Sequence, residues 1–537
     1  MRHSTHTVCK VKGEKRCQFL FSLMIVTQVN PPSHITTNNV HKHFNVIKKG
    51  SSMAVEHHLN STSAAPLWAH FQNISSIPHP SGYEEALIRH ISDFAERLQL
   101  NHVRDTAGNL IVYKPASEGF EGKPAIILQS HLDMVPEKSE DSGHDFLKDP
   151  IALRLDAEWL TATNTTLGAD NGVGVAAIMA ILEDNTLCHA PIEALFTVTE
   201  ETTMAGAQGI DASLLSGKTL LNLDTEEDGS LYIGCAGGVN VEVRQRCSMV
   251  SAPKEHHWFD LKMSGLKGGH SGCDIHHQRA NAIQTMARLL KALKPCGLSL
   301  ASFHGGVLDN AIPRDSKALV GVRLDQVENA YAIIDQLSQT IRQELAHIDP
   351  DFHLACSTAE APATVFRDSD LAMWLNALHS CHHGIKRYSD QFNGVVETSN
   401  NLGVLTMDNG RISIDCFTRS LVDSATQELA DNITGLFQLT GAEVKQTGLF
   451  PGWQPHADSN VLSLATAQYR KLFHKEPEIK IIHAALECGI LSAAMPGTDM
   501  ISFGPQIENA HTPWERVHIA SVDRFWSLLK ATIESIP

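Results

Sequence analysis

Residues able to bind or assist a metal ion recur at particular breaks in this 537-residue chain. His131 and Asp133 lie in QSHLDMV, Asp170 in LGADNG, Glu200 and Glu201 in VTEET, Asp224 in LNLDTEE, and His511 in NAHTPWE. Most of them follow an apolar run that reads as a buried strand. An open α/β sheet places its ligands at the carboxyl ends of its strands. Two imidazoles with several carboxylates form a mixed nitrogen and oxygen donor set, suited to zinc or to manganese or cobalt. The pattern points to a hydrolase with two metal ions.

Taken singly, each piece has a plain structural reading. An H-x-D pair is common, but His131 and Asp133 stand two apart at a strand end, so both side chains can lie on one side. A metal-bound histidine needs its second ring nitrogen held, and Asp133 could hold it. Asp170 has a glycine on either side of its short motif, which lets the backbone approach another group closely; the plain alternative is a helix N-cap. Glu200 and Glu201 are adjacent carboxylates that are costly near a core unless cations neutralise them. One of them could bind metal while the other, free beside it, serves as a general base. Asp224 opens DTEEDG, which by composition reads as a solvated turn, and His511 is one of thirty histidines. Order and placement at successive strand ends make the set specific.

The elements that position these residues are legible from periodicity. EALIRHISDFAERL (85–98) puts Leu87, Ile88, Ile91, Phe94, Ala95 and Leu98 on one helical face. NLIVYK, PAIILQS, IEALFTVT and TLLNL read as strands, and NGVGVAAIMAILED as a helix opened by Asp170 and Asn171. Alternating buried strands and helices predict a sheet covered on both faces. From about 239 to 447 the style changes. HHWFDLKMSGL, KALVGVRLD and GRISIDCFT alternate like half-exposed strands, beside amphipathic helices in RANAIQTMARLLKAL and YAIIDQLSQTIRQEL. After FPGWQP the α/β style returns and brings His511. One discontinuous catalytic domain interrupted by a lid explains that order. The predicted partition begins with an N-terminal extension, disordered or spurious, over 1–52. The catalytic domain then has its first segment over 53–238 and its second over 448–537, and a lid and dimerisation domain over 239–447 lies between them.

Net charge is −17, which disfavours nucleic acid as a partner. No run approaches the roughly 18 apolar residues of a membrane span. Eleven scattered cysteines contain no Cys-x-x-Cys pair, so a reduced, cytoplasmic chain is expected. FLFSLMIV near the N-terminus has the look of a signal peptide, but the polar TQVNPPSH after it offers no small-residue cleavage site. Met53 is the more natural start.

The order HLD, GADNG, TEE, NLD and HTPWE resembles the co-catalytic zinc peptidase superfamily that includes aminoacylases, desuccinylases and carnosinases. SIPHPSGYEE, QSHLDMVPEK, TTLGADNGVG, CAGGVN, GLKGGHSG, NAIPR, GVVETSNNLGV, FPGWQP, IIHAALECGIL and ERVHIASV are similar, more closely, to its aminoacyl-histidine dipeptidase family. The likeness runs from about residue 62 to the C-terminus and departs at no metal or catalytic position. It implies an α/β fold: a two-zinc exopeptidase-type domain with a mixed sheet flanked by helices, interrupted by an α+β lid. It implies two Zn2+ per subunit, with Co2+ or Mn2+ as substitutes. His131, Asp224 and a bridging Asp170 would hold one ion, and Glu201, His511 and Asp170 the other. Asp133 would orient His131, and Glu200 would be the general base that takes a proton from the attacking water. His270 in GGHSG, Asn310 and Arg419 would bind substrate, Arg419 through a carboxylate, and Glu487 would meet an amino group.

The implied activity is hydrolysis of dipeptides, including Xaa-His dipeptides such as β-alanyl-histidine, by a homodimer. An N-acyl amino acid deacylase or desuccinylase shares the metal chemistry but has no need of an acidic partner for a free amine. A non-catalytic binding protein would lack Glu200 or a ligand. An aminopeptidase for long peptides fits poorly with a large closing lid.

Overall fold

The computed structural model describes residues 54–456 and 458–537. The expectation for residues 1–52 lies outside the described residues.

Two large sheets organise the chain. The first has eight strands in the order Asn101–Arg104, Leu110–Lys114, Ile192–Thr197, Ile126–His131, Thr219–Asn222, Asp499–Ser502, Ser230–Cys235, Glu478–Ile482. It is mixed. Its middle strands Ile192–Thr197, Ile126–His131 and Thr219–Asn222 run parallel side by side. Both outer faces of this trio are covered, so Ile126–His131 and Ile192–Thr197 are buried at every residue. That is why they read as continuous apolar runs rather than alternating ones. Residues paired across this trio lie level, His131 opposite Thr197 and Gln129 opposite Asn222. Whatever follows each strand therefore emerges at one rim.

The second sheet has nine strands, all antiparallel, drawn from Gly237–Arg246 through Glu443–Phe450. Here the strands alternate: His256–Ser264 buries Phe259, Leu261 and Met263 and exposes Asp260 and Lys262. The buried face packs on helices including Ala282–Leu293, Asp368–Ser380 and Asp423–Gln438, around Phe303, Trp374 and Phe437. The other face is partly covered, with Trp258, Ala301 and Val365 forming a small buried cluster, and is exposed around Asp260, Lys262 and Lys317. A smaller four-stranded sheet pairs Arg516–His518 with Trp159–Ala162 and carries the His511 loop.

The helix expected after GADNG spans Ala169–Glu183 and is buried nearly all round. Its opening differs from the expectation. Gly168, left-handed at φ 69°, occupies the N-cap position, and neither Asp170 nor Asn171 has helical angles or caps the helix. The peptide bond between them is cis. Their side chains turn away from the helix end toward the rim of the first sheet, because that is where their partners lie. The same helix packs so closely on the sheet that a β-carbon on Gly174 would stand 2.7 Å from Ser130 Oγ and 2.8 Å from the Leu223 carbonyl. Gly174→Ala should therefore lower unfolding free energy in urea by about 1–3 kcal/mol, the usual cost of overpacking; an unchanged midpoint and slope would show that the helix can shift without cost.

Candidate metal centre

Four of the expected residues sit where the three parallel strands end. His131 closes Ile126–His131, Glu200 and Glu201 begin the short helix Glu200–Thr203 after Ile192–Thr197, and Asp224 follows Thr219–Asn222. Asp170 reaches the same rim from the buried helix, and His511 comes from the hairpin between Ile507–Glu508 and Arg516–His518.

Asp170 is the centre of the arrangement. Its Oδ1 lies 3.1 Å from His131 Nε2, and its Oδ2 lies 3.1 Å from His511 Nε2. His131 Nε2 is also 3.2 Å from Asp224 Oδ1, and His511 Nε2 is 3.0 Å from Glu201 Oε2. Two groups, each of one histidine and one carboxylate, thus share a third carboxylate between them. Ligand atoms of His131, Asp170 and Glu201 lie within 4.8 Å of one another, a spacing at which one ion can be held. The donor set fits a small divalent cation. Glu201 Oε1 supports the fit, being buried with no hydrogen-bond partner.

The charges around this rim disturb one another. Burial would keep the His131 ring neutral, but Asp224, Asp133 and Asp170 outweigh it and raise its pKa well above the usual value. Hydrogen bonds to Asp170 and Glu201 push His511 up to about 11. Burial opposes ionisation of Asp170, yet the two histidines hold its pKa low. Glu201 is raised despite its imidazole partner, because burial and the neighbouring Asp170 prevail. Burial likewise raises Asp224. Cations bound here would take the place of these protons.

Asp133 does more than the sequence suggested, and by a different atom. The His131 Nδ1–H donates to the Asp133 backbone carbonyl at 2.9 Å, with the carboxylate farther off at 3.5 Å. The carboxylate instead accepts the N–H of Glu200 at 2.9 Å, the N–H of Glu201 at 3.1 Å and the Ser81 hydroxyl at 2.7 Å. It fixes the turn that presents both glutamates. Thr199, just before them, is left-handed at φ 55° and donates its N–H to Glu84. SIPHPSGYEE therefore serves the site through Ser81 and Glu84.

Glu200 is half-buried and forms no side-chain bond to another described residue. Burial, reinforced by Asp224, Glu201 and Glu487 and moderated by His131, raises its pKa well above the usual carboxylate value. A carboxylate so raised is suited to accept and return a proton near neutral pH.

Asp224 corrects the reading of a solvated acidic turn: its side chain is 6% exposed, and Asn171 donates to it. Two further carboxylates escaped the sequence reading. Glu226 is pushed up to about 9 by burial and then by Asp170. Glu515 is fully enclosed; its carboxylate accepts the backbone N–H groups of Leu167, Gly168, Ala169 and Asp170 at 2.7–3.3 Å. It anchors the segment that carries Asp170 and sits four residues after His511. Its presence in HTPWE was the available signal.

Glu487 stands at a helix start, enclosed. It begins the helix Glu487–Ala494 with no solvent exposure, and Gln129 Nε2 and Thr197 Oγ1 both donate to its Oε2 at 2.6 Å. Burial pushes it up to about 7. It lies buried behind the strand ends, and its other oxygen, Oε1, has no hydrogen-bond partner among the described residues.

The second sheet supplies the other group. His270 and Arg419 meet at 3.4 Å, and the Ser271 N–H donates to the Asn310 carbonyl at 2.8 Å. Arg419 is 4% exposed, stacks over Phe417 and leaves Nε without a partner. The Gly272 and Cys273 N–H groups both donate to His270 Nδ1. The neutral ring then carries its proton on Nε2. Burial and Arg419 hold the His270 pKa down to about 4, so the ring is neutral at physiological pH. Donor faces donor between His270 and Arg419, and an anionic oxygen placed between them would satisfy both. His483, after strand Glu478–Ile482, ties the two sheets by bonding Ser399 at 2.8 Å.

A model of peptidase family M20/M25/M40 matches residues 127–535. The chain belongs to this family. The family is metal-dependent, and its members are peptidases, hydrolases acting on peptide bonds. The chain is 40% identical over 480 residues to a cytosol non-specific dipeptidase of Escherichia coli, covering 89% of this chain and 99% of that protein. The crystal structure of an aminoacylhistidine dipeptidase from Vibrio alginolyticus is 40% identical, with a TM-score of 0.83 and coverage of 89% and 98%. An aminopeptidase from Bacillus cereus shares the fold at 15% identity, with a TM-score of 0.53 and coverage of 88% and 99%. No described helix of this M20 peptidase is long and apolar enough to cross a membrane.

Glu515→Gln removes the charge that gathers four N–H groups without changing side-chain size. Competition with a chelator should show metal affinity about 10–100-fold weaker, the usual effect of losing a supporting residue. Unaltered affinity would mean that the Asp170 segment holds itself.

Proposed function

We propose that this M20 peptidase hydrolyses dipeptides, Xaa-His dipeptides such as β-alanyl-histidine among them, with two metal ions. Asp170 carries the reading: its two oxygens face two histidines that have separate carboxylate partners. His131, Asp224 and Asp170 would hold one ion, and Glu201, His511 and Asp170 the other. Zinc suits both sets, with cobalt or manganese as substitutes. When bound, the ions supply Lewis-acid polarisation of the scissile carbonyl and stabilise its developing negative charge.

The chain's own groups do the rest. Glu200 takes a proton from the attacking water and returns it to the departing amine. Asp133 positions Glu200 through its backbone N–H and holds His131 in one tautomer through its carbonyl. Neutral His270 donates from Nε2 to the oxyanion, and Arg419 grips the terminal carboxylate of the substrate with a guanidinium fork. Asn310 shares their loop cluster. Glu487 meets the substrate's amino group, its Oε1 being buried without a hydrogen-bond partner among the described residues. The second sheet and its helices form a lid over a discontinuous catalytic domain, the sheet running from Gly237 to Phe450, a few residues beyond the predicted 239–447 at each end. The names of the two 40% identical relatives support both a dipeptide substrate and a cytosolic location. Family likeness supports a homodimer, which sedimentation would measure.

Release of free amino acids from Ala-His, β-Ala-His, Leu-Gly, a tripeptide and N-acetyl-histidine tests the reading. Cleavage of dipeptides alone, lost on chelation and restored by zinc, is the expected result; cleavage of N-acetyl-histidine alone would make the enzyme a deacylase. Glu200→Gln should lower kcat by about 10²–10⁴-fold with metal content unchanged, as measured by atomic absorption. Arg419→Met should raise KM for Ala-His at least about tenfold and leave an Ala-His amide unaffected. Equal effects on acid and amide would remove Arg419 from carboxylate binding.

A further inference from the structure

A cavity of about 690 Å3 opens on the water-facing side of the second sheet. That volume is typical of small-molecule sites. Its wall carries Lys262, Lys267, His304, Arg314 and Lys317, against one acid, Asp315. Such a concentration of cations is unexpected in a chain of net charge −17.

Strand register explains how they converge. Lys262 in His256–Ser264 stands directly opposite Lys317 in Ser316–Arg323, and Lys317 stands opposite His304 in Ser299–Gly305. Two lysines and a histidine therefore form one cross-strand row; burial and Lys317 lower the His304 pKa, so the opposed charges are those of Lys262 and Lys317. Like charges directly opposed across strands are destabilising. Lys262, Lys267 and Lys317 pair with no carboxylate among the described residues, and Arg314 pairs only with its neighbour Asp315, at 3.5 Å. None of the metal or substrate roles above uses these residues.

We propose that this cavity is a binding site for a small dianionic ligand, a phosphate ester or a dicarboxylate. The dianion sits over the Lys262–Lys317 pair, accepts charge-assisted hydrogen bonds from both ammonium groups, and draws in Arg314 and Lys267 from the loops above. Exposed Val307 forms an apolar lip for the rest of such a molecule. His270 and Asn310 line the same cavity, so it adjoins the proposed substrate group and shares those two residues with it, while the lysines stand apart from both.

Equilibrium dialysis of the zinc-loaded enzyme against radiolabelled sulfate, at low ionic strength, tests this without reference to peptide hydrolysis. Sulfate is a dianion that does not strip zinc. Wild type should bind one saturable equivalent more than Lys262→Met/Lys317→Met, or bind it at least about tenfold tighter. Lys317→Gln alone should fall between them. Both lysines are exposed, and removing their repulsion should leave the thermal midpoint equal or higher. Competition by glycerol 2-phosphate against succinate then separates phosphate ester from dicarboxylate as the preferred class. Identical sulfate binding by wild type and double variant would overturn the proposal. So would a double variant that sediments differently from wild type, which would assign these lysines to a contact between subunits.

Discussion

The constraint on which this structure depends is the crowding of carboxylates at one sheet rim. Asp170, Glu200, Glu201, Asp224 and Glu226 approach one another where burial denies them water. Such a cluster is tolerable only with compensating positive charge. Two imidazoles supply some of it, and the shared Asp170 carboxylate distributes it between two halves of the site. The rest is left for cations. Stability and chemistry are thereby coupled: the repulsion that would open the rim is the same feature that gives metal ions their affinity.

Holding the rim together falls to groups that touch no substrate. The Asp133 carboxylate gathers the Glu200 and Glu201 amides, and its carbonyl fixes the His131 ring. Glu515 gathers the amides that lead into Asp170. Both act as acceptors for backbone N–H groups that no helix or strand satisfies, which converts two irregular turns into rigid mounts. Parallel strands set the spacing of the mounts, and the turns set their direction.

The second sheet obeys a different rule. Strands such as His256–Ser264 alternate because one face is dry and the other wetter, whereas Val396–Asp408 is buried on both sides over its first eight residues. His270 and Arg419 are kept near each other although both are donors. An anionic oxygen placed between them would satisfy both.

Much of the site was legible in the sequence because a parallel strand buried on both faces reads as an apolar run, and the residue after the run is placed at the rim whatever its side chain. His131, Glu200, Glu201 and Asp224 follow from that rule alone. Asp170 and His511 were candidates from their residue types and motifs; the resemblance added which ion each would hold, and the lid residues. Asp133 as an anchor of amides, Glu515 as the mount of Asp170, the enclosure of Glu487 and the row from Lys262 to His304 were decided only by tertiary structure. Each depends on which distant segments meet, separated by up to 358 residues for Gln129 and Glu487. Periodicity along a chain reports which face of an element is buried; it carries no information on which buried group from elsewhere will lie against it.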